Sequence, residues 1–180
     1  MLFAIGSACF LVGPFPGFVE LVGSEVDAAV FFAGSLFFTS AALLQMLHSS
    51  GGLDRVASVV QFAGTLFFNL STFHALQSGL DTTEYDRLVW RPDARGSICF
   101  LLSGVVAYAA VRGLSRGATE WRIAVVNLAG CVAFGIAAIA GYLVPSTGSA
   151  LDLAAANAWT SAGALCFLVG ALLLLPRRSP

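Results

Sequence analysis

Among the polar side chains of this 180-residue chain, one group has a spacing that could support chemistry. Ser58, Gln61, Thr65, Asn69 and Thr72 recur every three or four residues, with His74 and Gln77 just beyond. On a helix that spacing places them along one stripe. A stripe of amides and hydroxyls could wall a solute path or pocket, with Gln61, Thr65, Asn69, Thr72 and His74 as its lining. It could instead bond neighbouring helices together, at about 0.6 kcal/mol per contact. The bonding use is favoured for most of the stripe, and the pocket is expected at its outer end near His74, where water can reach.

Other reactive side chains form weaker groupings. Imidazole is the commonest transition-metal ligand, but His48 and His74 close different apolar segments at opposite ends, so they cannot share one metal. Cys9, Cys99, Cys131 and Cys166 all lie inside apolar segments with no C-x-x-C spacing, which fits small apolar packers rather than disulfides or a zinc site. Between residues 79 and 95, Asp81, Glu84, Asp86 and Asp93 could ligate a hard divalent cation, yet their spacing matches no calcium loop, and a solvated loop is favoured. All nine positive charges are Arg, so no lysine is present to form a Schiff base. No nucleophile motif, phosphate-cradling loop or H-E-x-x-H string occurs. Neither enzymatic activity, metal nor cofactor is expected.

The elements that carry these residues are set by composition. The chain is 58% hydrophobic and 11% charged, against roughly 25% charged in an average soluble domain. A membrane span needs about 20 mainly apolar residues at about 1.5 Å rise each. The stretches 2–19, 28–47, 56–78, 96–111, 123–144 and 153–175 qualify or nearly so, and every Asp, Glu and Arg falls outside them. A charge at a helix centre costs about 2.5–3.5 kcal/mol on insertion scales, so this segregation is what lipid-facing spans require. The first span is interrupted by Gly13-Pro14-Phe15-Pro16, where a broken or tilted end is expected. Cleavage of that span as a signal peptide is disfavoured, because no positive residue precedes it and no small-residue cleavage site follows.

Arg asymmetry sets the expected orientation. One side carries Arg55, Arg112, Arg116, Arg122, Arg177 and Arg178 with two acids, and the other carries Arg87, Arg91 and Arg95 with eight. The bias places both termini in the cytoplasm. Trp121 falls near one boundary and Trp90, Trp159 and Tyr142 near the other, where amphipathic rings favour the interface. Without a basic arm, nucleic acid is not an expected partner. Membrane lipids are, as is a second copy of the chain or another membrane protein.

Each span contains a glycine followed four residues later by phenylalanine: Gly6/Phe10, Gly34/Phe38, Gly64/Phe68, Gly96/Phe100, Gly130/Phe134 and Gly163/Phe167. Positions i and i+4 share a helix face, so each pair makes a notch and a knob for a neighbouring helix. Matches between halves at offsets of 90, 96 and 99 would define a three-plus-three inverted repeat of the kind many transporters use. One helix pattern multiplied six times explains the matches equally well. The expected fold is all-α: a polytopic six-helix transmembrane bundle with internal helix repeats, forming one domain over 1–180.

The strings Phe31-Phe32-Ala33-Gly34-Ser35-Leu36-Phe37-Phe38, Trp90-Arg91-Pro92-Asp93-Ala94-Arg95-Gly96-Ser97 and Val144-Pro145-Ser146-Thr147-Gly148 resemble bacterial YrhK-domain membrane proteins. So does the ending that runs from Gly163 to Pro176. The resemblance runs from about Phe31 onward and implies a small bacterial multi-pass protein of the cytoplasmic membrane, with no established activity and no functional residue to carry over. The first functional expectation is a non-enzymatic module that binds or moves a small solute or lipid between its helices. The second is an accessory subunit acting through helix contacts, and a third, weaker one is a metal-dependent enzyme using the acids of residues 79–95.

Overall fold

The computed structural model describes residues 1–77 and 79–175. Ser78, the end of the third expected span, and Pro176, Arg177 and Arg178 lie outside the described residues. The elements are α1 (Leu2–Val12), α2 (Phe18–Val22), α3 (Ser24–His48), α4 (Gly52–Ala75), α5 (Thr82–Tyr85), a π-helical turn (Asp86–Trp90), α6 (Arg91–Val111), α7 (Thr119–Ala140) and α8 (Leu153–Leu173). Among the described residues, five segments are long and apolar enough to cross a membrane: α3, α4, the continuous run Thr82–Val111, α7 and α8.

Helix ends follow local chemistry. Between α3 and α4 the chain turns through Gly51 and Gly52, at φ 109° and 56°, a backbone region that only glycine enters freely. Arg55 donates to the Met46 carbonyl at 2.9 Å, and Asp54 accepts from the Ser50 amide at 3.1 Å, tying that turn to both helices. Asp152 caps α8 by accepting from the Ala155 amide at 2.9 Å, satisfying one of the free donors of a helix start.

Three expectations need correction. The first span does not run from 2 to 19 as one helix: α1 has 11 residues, roughly 16 Å at 1.5 Å per residue, and stops where Pro14 and Pro16 remove amide donors. Of the expected loop 79–95, residues 82–95 are helical. Asp81 and Glu84 form a reciprocal capping box, and helix then runs unbroken from Thr82 to Val111, so the span expected at 96–111 starts far earlier and carries Asp86, Arg87, Arg91, Asp93 and Arg95. Helix α7 ends at Ala140 rather than Val144 because Gly141 and Tyr142 turn the chain into a short antiparallel pair, Leu143–Val144 with Ser149–Ala150.

The short α1 and the five long helices pack in chain order as a closed ring, α1 against α3, α3 against α4, α4 against α6, α6 against α7, α7 against α8, and α8 back against α1. Burial repeats within them. Relative to each motif glycine, the residues at 0, +1, +4, +7 and +8 are buried in all six cases, Gly13 and Pro14 lying just past the end of α1. The +2 residue is exposed in every helix, and beyond α1 it is large and apolar, as with Ile98 at 59% and Leu165 at 50%. Small residues and phenylalanine inside with leucine and isoleucine outside is the arrangement lipid favours.

The glycines admit their partners' rings. A Cβ on Gly64 would lie 2.7 Å from the Phe100 ring, and one on Gly163 would lie 2.8 Å from that of Phe134. A Cβ on Gly34 would come within 2.9 Å of Phe10, while Gly6 faces Phe38 and Gly130 faces Phe167. Gly96 faces Phe68 and the Gly64 carbonyl. The exchange therefore runs within α1/α3, α4/α6 and α7/α8. Polar bonds join other neighbours: Ser35 with Thr72 at 2.9 Å and Thr39 to Asn69 at 3.0 Å between α3 and α4, and the Trp90 indole to the Ala138 carbonyl at 2.8 Å on α7.

Candidate functional site

The motif phenylalanines meet on the axis of the ring. Phe10, Phe38, Phe68, Phe100, Phe134 and Phe167 form one buried cluster. The closest pair, Phe68 and Phe100, has ring centroids 4.9 Å apart and edge-to-face. Phe38 touches Phe10, Phe100 and Phe167, so the cluster is continuous across the ring. Edge-to-face aromatic pairs add about 0.5–1.5 kcal/mol beyond burial.

A cavity abuts each face of this cluster. The first, about 610 Å³, reaches Phe10, Phe68 and Phe134 from the end of the ring where α3 starts and α4 stops. The second, about 420 Å³, reaches Phe100 and Phe167 from the opposite end, where Gln45, Asp54 and Glu120 stand. Helix register decides which side chain each cavity receives. Three residues before the motif glycine, α3, α6 and α8 place Phe31, Asp93 and Thr160 in the first cavity, whereas α4 and α7 place Gln61 and Asn127 in the second. Neighbouring helices run in opposite directions, so one register position serves both ends alternately.

Electrostatically the first cavity is acidic. Asp27 and Asp93 line it, and no Arg or His does among the described residues. The Asp27 Oδ1 atom is buried with no hydrogen-bond partner. The ion pair of the described residues joins Arg91 to Asp86 at 2.8 Å, outside this cavity, and leaves Asp93 without a counter-charge.

The stripe of polar residues on α4 is divided. Gln61 lines the second cavity. Thr65 is fully buried and donates to the Phe62 carbonyl of its own helix at 2.7 Å. Asn69 accepts from Thr39, and Thr72 bonds Ser35 while also bordering the first cavity. His74 lines neither cavity; its ring lies against Phe73, and its Nδ1 atom is buried without a partner. His48 bonds the Leu44 carbonyl through Nδ1 at 2.7 Å, at the far end of α3 from the first cavity. The four cysteines carry free thiols. Among the described residues no three His, Cys, Asp or Glu side chains converge to hold a metal ion.

Sequence reasoning missed that Asp27 and Asp93 line one cavity, since Asp27 entered only the count of acids on one side and Asp93 was assigned to a loop. A signal existed for Asp93: it occupies the same register before Gly96 that Gln61 occupies before Gly64. No protein-family model, curated protein or solved structure matches the chain.

Proposed function

We propose that this chain is a six-span protein of the bacterial cytoplasmic membrane that binds a small solute and passes it along the axis of its helix ring, with both termini cytoplasmic. The observation that carries the reading is the pair of cavities entering from opposite ends and stopping at opposite faces of one phenylalanine cluster. Two vestibules with an apolar constriction between them are the parts a gated path needs. On this reading α1 is the sixth, shortened crossing, and the repeat is an antiparallel pair used three times, supported by glycine–phenylalanine exchange within α1/α3, α4/α6 and α7/α8. Membership of the YrhK-like group is part of the proposal and rests on the strings around Gly34, Gly96 and Gly163.

The alternative of an accessory subunit gains less support, because the motif glycines are packed against rings of their own chain instead of forming a face open to lipid. The weaker enzyme reading loses its ligand set, since Asp81 and Glu84 cap a helix and Asp86 pairs with Arg91.

Solvent access tests the path without knowledge of the solute. In a background with the four cysteines replaced by Ala, Ser71→Cys and Gln61→Cys are treated with a membrane-impermeant cationic methanethiosulfonate in sealed vesicles of known orientation. Each position is expected to react from one side, opposite for the two, and Phe100→Ala is expected to let the reagent cross to the other. Failure of both positions to react from either side removes the path.

A further inference from the structure

A groove adjoins the acidic cavity from the side. Because α1 ends at Val12, its broken end leaves a groove of about 820 Å³ against α8, lined by Gly13, Pro14, Phe15 and Pro16 on one wall and by Leu153 and Ala158 on the other. Asp27, Phe31, Leu153 and Asn157 line both groove and cavity, so the two adjoin across these four side chains. Carboxylates mark the route inward: Glu20 in the groove, Asp27 at the junction and Asp93 inside. Aromatic side chains accompany them, with Phe15 in the groove, Phe31 at the junction and Tyr85 and Trp90 in the cavity.

We infer that this groove and cavity form a binding site for a lipophilic organic cation that enters sideways from the bilayer. The assignment deepens the proposed solute path, resting on it in taking the cavity as accessible to a solute. Unpaired carboxylates in a membrane protein select positive charge, since an anion would add to an uncompensated field. Aromatic faces attract organic cations within about 6 Å and gain most when the cation is poorly hydrated, which favours a bulky ammonium or phosphonium over a metal ion. Each compartment alone, about 610 Å³ for the cavity and about 820 Å³ for the groove, suits a drug-sized molecule, within the roughly 300–1,000 Å³ of small-molecule pockets.

The test uses the purified chain in nanodiscs of zwitterionic phosphatidylcholine, with tetraphenylphosphonium as the probe and tetraphenylborate as its anion of matching shape. Saturable binding of the cation, with no saturable binding of the anion, is expected. Asp93→Asn and Asp27→Asn are each expected to weaken it about tenfold while the melting temperature holds or rises, which separates lost binding from unfolding. Tetramethylammonium, a hydrophilic cation, is expected not to compete at equal concentration. Equal binding of tetraphenylborate, wild-type affinity in both variants, or full competition by tetramethylammonium would overturn the assignment. Cation binding without passage beyond the phenylalanines removes the path and retains this site, whereas passage without charge preference does the reverse.

Discussion

Asp93 stands three residues before Gly96 on α6 and faces a cavity with no cation to balance it among the described residues. A half-buried carboxylate without a partner keeps part of its desolvation cost. Asp93→Asn is therefore expected to stabilise the detergent-solubilised protein by about 1–3 kcal/mol. Asp86→Asn, which breaks an exposed pair with Arg91, should shift stability by less than about 1 kcal/mol. Thermal melts of the two variants check this, and a loss of stability in Asp93→Asn would mean that Asp93 has a partner in solution. At the same scale, the bond from Thr39 to Asn69 should give a coupling of about 0.6 kcal/mol in a double-mutant cycle with Thr39→Val and Asn69→Leu. No coupling would place Asn69 away from α3.

Between helices, the deciding quantity is the space at each glycine. Gly64→Ala drives a methyl group to 2.7 Å from Phe100 and should cost about 1–3 kcal/mol of overpacking. Gly135, on α7, has nothing within 4 Å of its ideal Cβ position, so Gly135→Ala should gain up to about 1 kcal/mol from helix propensity. Opposite signs in the two melts are the expected outcome, and equal shifts would show that ring insertion at Gly64 carries no packing energy. The same contacts explain why glycine spacing was readable in sequence but the pairing was not. The interval from Gly to Phe is local, whereas the choice of partner depends on which helices lie side by side and antiparallel.

For the whole molecule, the proposed orientation predicts that Ser146→Cys, in a cysteine-free background, is labelled by an impermeant maleimide from outside intact cells. Ser115→Cys, beside Arg116, should be labelled only after permeabilisation. Exterior labelling of Ser115→Cys would reverse the molecule and put the acidic cavity on the cytoplasmic side. Ring closure gives that cavity its shape, since α8 returns to α1, and the short α1 leaves the groove that adjoins it.

Composition and charge segregation determined by themselves that the chain is built of apolar helices, because lipid tolerates few charges and demands internally bonded backbone. The repeated Gly-x-x-x-Phe marked the faces that turn inward, since helical period alone puts those residues together. Tertiary structure decided the rest. Asp93 looked like a solvated loop acid until unbroken helix from Thr82 turned it toward Phe68 and Phe134, and the α4 stripe looked continuous until packing against α3 took Asn69 and Thr72 for hydrogen bonds. A side chain's partner across the ring depends on helix length, crossing and direction, which arise from contacts between residues far apart in the chain.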